Sequence, residues 1–381
     1  MSRPFGVYVH FPWCTHRCPY CDFAVTTEPQ PGERRYARAV LAELGLRAGA
    51  FDALAPASLY VGGGTPSLWD PADMGEVIGA IRARFRFPPG AEVTVEANPE
   101  SCDRERLLAW RAAGVNRVSI GVQSFDAGVL AKLGRRHGPE AAERAIREAA
   151  DVLGNVSVDL IYGARRSTAE GARADAARAV AAGAVHVSAY ALTLDADVLA
   201  EEVPLARLRR EGRLPLPSED ETRAQAAAIR AALRRAGLLR YEISNFARPG
   251  RESVHNRLYW DGESYLGLGA GAYGCLRGAA GGASVRYGNL RDARAYADAA
   301  LGGEPPTAEE DRIAATADRN ERLMLALRTA GGAPIAGLSA AQAREAAEAV
   351  RRRLAVRRAG RLVLTSRGMD LHSALSERLF E

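Results

Sequence analysis

Val7-Tyr-Val-His-Phe-Pro-Trp-Cys14-Thr-His-Arg-Cys18-Pro-Tyr-Cys21 runs from a short β-branched stretch straight into three cysteines at Cys-x3-Cys-x2-Cys spacing. Val7–His10 predicts a strand, so the thiols stand at a strand's C-terminal end. Three thiolates can hold three irons of a 4Fe–4S cubane and leave the fourth iron without a protein ligand. An open iron can take a small chelating molecule, so the missing fourth cysteine has a chemical meaning. Structural zinc is the alternative, with His10 or His16 as its fourth ligand. Zinc fingers usually pair two knuckles, and this chain has no second one. Cys102 and Cys275 stand alone and are expected to be buried thiols.

Outward from this stretch, β-branched runs recur at Ser58–Gly62, Glu92–Glu96, Arg117–Gly121, Val156–Asp159 and His186–Ala189, with helical patterns between them. Asp70-Pro71 predicts an N-cap with proline at the first helical position, and Ser167 with Glu170 a capping box. Ala142, Ile146, Ala149 and Leu153 form one apolar helix face. Six strands alternating with helices predict a parallel sheet, open or curled into a partial (β/α)6 barrel. Polar or glycine-rich segments (HFPWC, GGGTP, EANPE, GVQSF, DLIYG) follow successive strands, and chemistry at many strand C-termini favours the barrel.

The chain has 381 residues, 47% hydrophobic and 25% charged, which fits two or three globular domains and excludes wholesale disorder. The barrel is expected over 1–195 and a connecting, site-covering region over 196–303. A winged-helix-like α+β module is expected over 304–381, after the Gly302-Gly303-Glu304-Pro305-Pro306 linker. In the last two regions, Ser218 with Glu221 predicts a helix to about Arg235, and Thr307 with Glu310 a helix ending near Gly331. Ser339 with Gln342 predicts another, and Arg361–Thr365 a hairpin strand. Five cysteines are too few for a secreted disulfide scaffold. No apolar run reaches the ~20 residues of a spanning helix, and the N-terminus lacks the pattern of a signal peptide. A soluble, cytoplasmic protein is expected. The net charge of +5 rests almost wholly on scattered arginines, Lys132 being the sole lysine. No nucleic-acid partner is expected, although a DNA-reading C-terminal module is a third possibility that salt-dependent filter binding would test.

With those residues in view, the sequence resembles the radical S-adenosylmethionine (SAM) superfamily, whose mark is this cysteine spacing after the first barrel strand. The resemblance implies a 4Fe–4S cluster on Cys14, Cys18 and Cys21, with SAM chelating the open iron and undergoing one-electron cleavage. It also implies a SAM-binding set like that of the coproporphyrinogen-dehydrogenase-like branch. That set comprises Tyr8, Gly63, Gly64 and Thr65 of the GGGTP turn, Glu96, Gln123, Arg135, Asp159 and Ala191. Glu96 and Arg135 would hold the ammonium and carboxylate ends, and Asp159 a ribose hydroxyl.

Within that branch two activities compete: oxygen-independent coproporphyrinogen III dehydrogenase, and heme chaperones of the HemW type. The likeness covers nearly the whole chain, including Leu362-Val-Leu-Thr365-Ser-Arg-Gly368. The dehydrogenase pattern has a further cysteine where Phe23 stands, and an extension before the cluster where 13 residues precede Cys14. His255-Asn256-Arg-Leu-Tyr259-Trp260 is similar to the chaperones' HNxxYW motif. The chaperone type implies heme as cargo, His255 as a heme-binding residue, apo-hemoproteins such as respiratory cytochromes as acceptors, and an electron donor for the cluster. His255 read alone is more readily a polar loop residue fixing the backbone, and the resemblance reverses that balance; Tyr259 and Trp260 are equally core residues supporting the loop. A homodimer is compatible with all of these readings.

Overall fold

Six strands lie side by side in chain order: β1 Pro4–Phe11, β2 Ala55–Gly63, β3 Glu92–Ala97, β4 Arg117–Gln123, β5 Val156–Tyr162 and β6 His186–Ala191. Every neighbouring pair is parallel. The chain is described from a computed structural model over residues 2–28, 33–195, 199, 203–278 and 283–380. All six expected strands are present, each extended by one to four residues. Their Val, Ile, Leu and Phe side chains form one large core beneath the connecting helices, as parallel sheets require.

The caps explain where the helices start. Asp70 accepts hydrogen bonds from the Ala72 and Asp73 N–H groups ahead of Pro71–Phe85. Thr168, not Ser167, caps Ala169–Ala182, because the Ser167 hydroxyl is already bonded to the Ala164 carbonyl and Gln225. Ser218 and Ser339 each make the full capping box expected of them.

The sheet extends on both flanks. On one side β9 (Ser264–Leu268) pairs parallel with β1, and β10 (Tyr273–Leu276), β11 (Ser284–Asn289) and β12 (Thr307–Ile313) follow antiparallel. On the other, β8 (Asn245–Ala247) pairs with β6, and β7 (Leu239–Arg240) pairs with β8. The twelve strands form an open, partial barrel, with no pairing between β12 and β7. The helix expected from Thr307 is therefore a strand. Thr307 Oγ1 accepts a hydrogen bond from Arg47 instead of capping, and the helix begins only at Ala315, running to Leu327.

Beyond it, β13 (Ala333–Pro334), β14 (Ala355–Arg358) and β15 (Arg361–Leu364) form a three-stranded antiparallel sheet in the order β13-β15-β14. With helices Ala340–Arg351, Ser366–Asp370 and His372–Leu379 it encloses a separate apolar core around Leu327, Leu354 and Leu362. This is the winged-helix-like arrangement expected. No described helix is long and apolar enough to cross a membrane.

Candidate functional site

Strand β1 ends at Phe11, and the backbone turns directly into the cysteine loop. Two hydrogen bonds fasten that loop to its own return: Cys14 N–H to the Thr26 carbonyl at 3.0 Å and Thr26 N–H to the Pro12 carbonyl at 2.8 Å. The turn after β2 fastens it from the side, with Gly64 N–H to the Phe11 carbonyl and Thr65 N–H to the Trp13 carbonyl. A Cβ on Gly64 would lie 2.7 Å from the Trp13 carbonyl oxygen, and one on Gly63 2.6–2.8 Å from the His10 ring. Gly63 also has a φ of +112°, which side-chain-bearing residues rarely adopt. These glycines are needed first by the cysteine loop, a stricter demand than close approach of a ligand. Gly63→Val is accordingly expected to disturb the loop itself, with a lower melting temperature alongside weaker SAM binding. Backbone strain of this type amounts to about 1–3 kcal/mol. An unchanged melting temperature would restore the ligand-only explanation.

Side chains from four segments converge on the thiols. Thr65 Oγ1 donates to Cys14 Sγ at 3.4 Å and accepts from Asn98 Nδ2 at 3.1 Å. The Asn98 side-chain Oδ1 accepts from Arg135 Nη2, while Arg135 Nη1 lies 3.7 Å from Cys18 Sγ. A continuous run of polar contacts thus links Cys14, Thr65, Asn98, Arg135 and Cys18. Arg135 also donates to the Gly121 carbonyl at 2.8 Å. Its buried Nε has no hydrogen-bond partner among the described residues. Beside it, β4 bulges between Gly121 and Gln123, and Gln123 has a φ of +67°. A bulge re-aims a side chain next to a site. The bare Cα of Gly121 leaves room there for the Gln123, Asn98 and Arg135 side chains.

Burial raises the Cys14 and Cys21 thiols, Cys21 to about 11, and the neighbouring thiols push the same way. Such groups surrender protons to a metal rather than to water. Among the described residues no three His, Cys, Asp or Glu side chains stand together as a mononuclear metal site. A cubane does not ask for that, since each thiolate goes to a different iron. The two imidazoles that would complete a zinc site are already engaged. His10 Nε2 meets the Ala24 carbonyl at 2.8 Å and must carry the proton, so Nδ1 accepts from the Tyr8 hydroxyl at 3.0 Å. His16 Nε2 meets the Gly134 carbonyl at 3.0 Å. Three soft donors ringed by Thr65, Arg135 and an orphaned guanidinium N–H fit a 4Fe–4S cluster with an anionic ligand beside it. When bound, such a cluster supplies one-electron chemistry.

Next to the loop lies a cleft of about 390 Å³ lined by Tyr8, His10, Phe23, Gly63, Glu96 and Tyr259, among others. Glu96 accepts from the Tyr60 hydroxyl at 2.7 Å and the Gly63 N–H at 3.0 Å. Burial pushes its carboxyl up to about 7, with the Asp159 charge adding and the Tyr60 bond opposing. Asp159, one strand pair away, accepts from Ser119 at 3.3 Å and is raised by burial as well. The structure therefore gathers Cys14, Cys18, Thr65 and Arg135 into one network, and Tyr8, Gly63 and Glu96 into the adjoining cleft. Ala191 is not brought there. It lines a second groove, beyond β6. Asn98, Tyr60 and Gly121 are additional members; Asn98 was detectable as the residue two after Glu96 on the same strand face.

His255 lies directly behind the cleft, its ring stacked on that of Tyr60 at 5.0 Å. It is 2% exposed, packed against Gly6 and bonded through Nδ1 to Ser58 (2.8 Å) and through Nε2 to Tyr259 (2.9 Å). Gly6 and Ser58 belong to the N-terminal halves of β1 and β2, whereas the cysteines follow the C-terminal end of β1. Helix Val254–Trp260, which carries His255, is anchored by the Glu92 carboxylate through the N–H groups of Val254 and His255, both at 3.0 Å. Each imidazole nitrogen is already hydrogen-bonded, so ligation by this ring requires it to give up one bond, to Ser58 or to Tyr259. Tyr259, four residues on, is the part of the HNxxYW motif that reaches the cleft.

A model of the radical SAM superfamily matches residues 8–177. The heme chaperone HemW of Mycobacterium tuberculosis is 40% identical, over 99% of this chain and 95% of its own length. HemW of Escherichia coli K12 is 34% identical over 71% of this chain and 70% of its own. Among solved structures, coproporphyrinogen III oxidase (HemN) from Escherichia coli superposes with a TM-score of 0.79, covering 100% of this chain and 90% of that one at 21% identity. That likeness is one of fold, and it matches the open α/β sheet seen here. With the cysteine loop, its polar ring and the chain-long similarity together, the chain belongs to the HemW heme chaperone family of the radical SAM superfamily.

Proposed function

We propose that this protein binds heme and delivers it to apo-hemoproteins, with a 4Fe–4S cluster on Cys14, Cys18 and Cys21 and SAM alongside. The observation that carries this reading is similarity to HemW over 99% of the chain. Phe23 supports it: the side chain is 59% exposed and lines the cleft beside the cluster loop, offering a ring where the dehydrogenase pattern has a thiol. Respiratory cytochromes are the acceptors this reading expects, with a separate electron donor for the cluster. The test is anaerobic reconstitution with iron and sulfide, followed by separate additions of heme and coproporphyrinogen. Expected are a heme Soret band and neither protoporphyrinogen nor 5′-deoxyadenosine from coproporphyrinogen. Turnover with release of 5′-deoxyadenosine would replace this reading with the dehydrogenase.

Glu96, as the partner of the SAM ammonium, makes the reading sensitive to pH. With its carboxyl titrating at about 7, it is half protonated in the free protein near neutrality. A cation placed against it lowers that pKa, so binding expels a proton and affinity rises from about pH 6 to pH 8. Folding responds in the opposite sense. The raised pKa stabilises the fold below the ordinary value of 4.5, and that contribution is lost as pH climbs through about 7. Calorimetry in buffers of different ionisation enthalpy counts the proton, and Glu96→Gln should abolish its release. Affinity that stays flat across this range removes Glu96 from the ammonium.

A further inference from the structure

The second groove, into which Ala191 opens, has a volume of about 780 Å³ and lies between β5, β6, helix Glu219–Arg235 and the C-terminal module. Its size falls within the range of small-molecule sites, about 300–1,000 Å³. Tyr190, Phe246 and Met369 contribute its apolar walls, and Tyr190 is 42% exposed at a strand end. Arg230 and Arg240 line the same space. Asp370, the carboxylate among the lining residues, is 3.4 Å from Arg230. Among the described residues Arg240 is held by the backbone carbonyls of Glu242 and Ile243, and its buried Nη1 has no hydrogen-bond partner there. A guanidinium fixed at the wall of the groove gives that wall a positive charge suited to an anionic group.

His372 supplies a further group. Its Nε2 meets the Met324 carbonyl at 2.8 Å and so carries the proton, which leaves the lone pair on Nδ1. Nδ1 has no hydrogen-bond partner among the described residues, and the side chain lines the groove. An imidazole whose distal N–H is tied to a carbonyl is the arrangement that orients metal-ligating histidines and strengthens them as donors. Burial lowers the pKa of this ring, which keeps the lone pair unprotonated.

We infer that this groove is the heme-binding site, with His372 Nδ1 as an axial ligand, Tyr190, Phe246 and Met369 against the porphyrin, and Arg240 with Arg230 on the propionates. The inference rests on the heme-chaperone reading and gives that reading a place on the molecule. It also relieves His255 of a ligand role that would break one of its two buried bonds.

The test is titration of the full-length, reconstituted protein with heme and, separately, with iron-free protoporphyrin IX, followed by absorbance and fluorescence quenching. His372→Gln keeps an amide N–H for the Met324 carbonyl but has no imidazole. It is expected to shift the Soret band and weaken heme binding by about tenfold or more, the loss that disturbing a single orienting contact already causes at metal sites. Protoporphyrin affinity should stay as it was. Arg240→Met should weaken both ligands, and added imidazole should bring the His372→Gln spectrum back toward that of the parent. If His372→Gln folds with an unchanged Soret band and affinity, or if His255→Gln alone alters the band, the groove is not the site although the chaperone reading stands. If the unmodified protein binds no heme, the chaperone reading itself is overturned.

Discussion

Changing any one of Cys14, Cys18 or Cys21 to serine is expected to abolish the visible absorption of the anaerobically reconstituted protein, while Cys102→Ser leaves it intact. The difference follows from position and chemistry. The three thiols share one loop, with Thr65 and Arg135 against two of the sulfurs. Cys102 is 4% exposed, and burial pushes its thiol up to about 12. A serine hydroxyl is a harder donor that gives up its proton far less readily, and with three ligands in all no spare thiol replaces a lost one. Because loading removes thiol protons, reconstitution should also improve as pH rises toward the Cys21 value of about 11. Iron and sulfide analysis with absorption spectra measures each effect. Stoichiometric zinc with no iron after anaerobic purification would overturn the assignment.

The second large effect is on stability and lies at the opposite end of the strands. Glu92, at the start of β3, receives the Val254 and His255 N–H groups and the Ser253 hydroxyl, and its carboxylate is 3.9 Å from Arg117. Arg117 is 1% exposed, and its Nε has no hydrogen-bond partner. Glu92→Ala would take the nearest counter-charge from a buried guanidinium and release the first turn of Val254–Trp260. Losing one partner of a buried pair costs about 3–5 kcal/mol. Glu92→Gln, which retains an acceptor oxygen, should lose less. Urea unfolding followed by tryptophan fluorescence would report both. A loss below about 1 kcal/mol for Glu92→Ala would show that solvent or the other acids near Arg117 compensate.

Much of this was legible in the residue order because it is local. Each of the six strands is a β-branched run, and the cysteine spacing names its chemistry without any tertiary contact. The Ser218 and Ser339 caps need only four residues each. What escaped depends on partners far along the chain. Asn98 matters because Thr65 and Arg135 arrive on either side of it. For His255, expected as a heme-binding residue, the residue order does not show that Ser58 and Tyr259 bond its two nitrogens. Thr307-Ala-Glu-Glu310 satisfies the capping pattern, yet β11 is there to pair with it and Arg47 claims the hydroxyl.

That misread segment has a consequence for how the molecule behaves at high concentration. β12 is an outer strand of a twelve-stranded sheet, with one row of peptide groups facing away from its neighbour. A sheet edge of that kind is a template for unlimited growth, strand upon strand, into fibres. Here four consecutive exposed residues, Glu309, Glu310, Asp311 and Arg312, put charge on both faces of the strand. An identical strand laid antiparallel and centred on Glu310 would set Glu310 against its copy and Glu309 against Asp311, and like charges directly opposite repel. The opposite edge, β7, is only two residues long. The polar run that made this segment look like a helix is also what stops the sheet from recruiting its own copies.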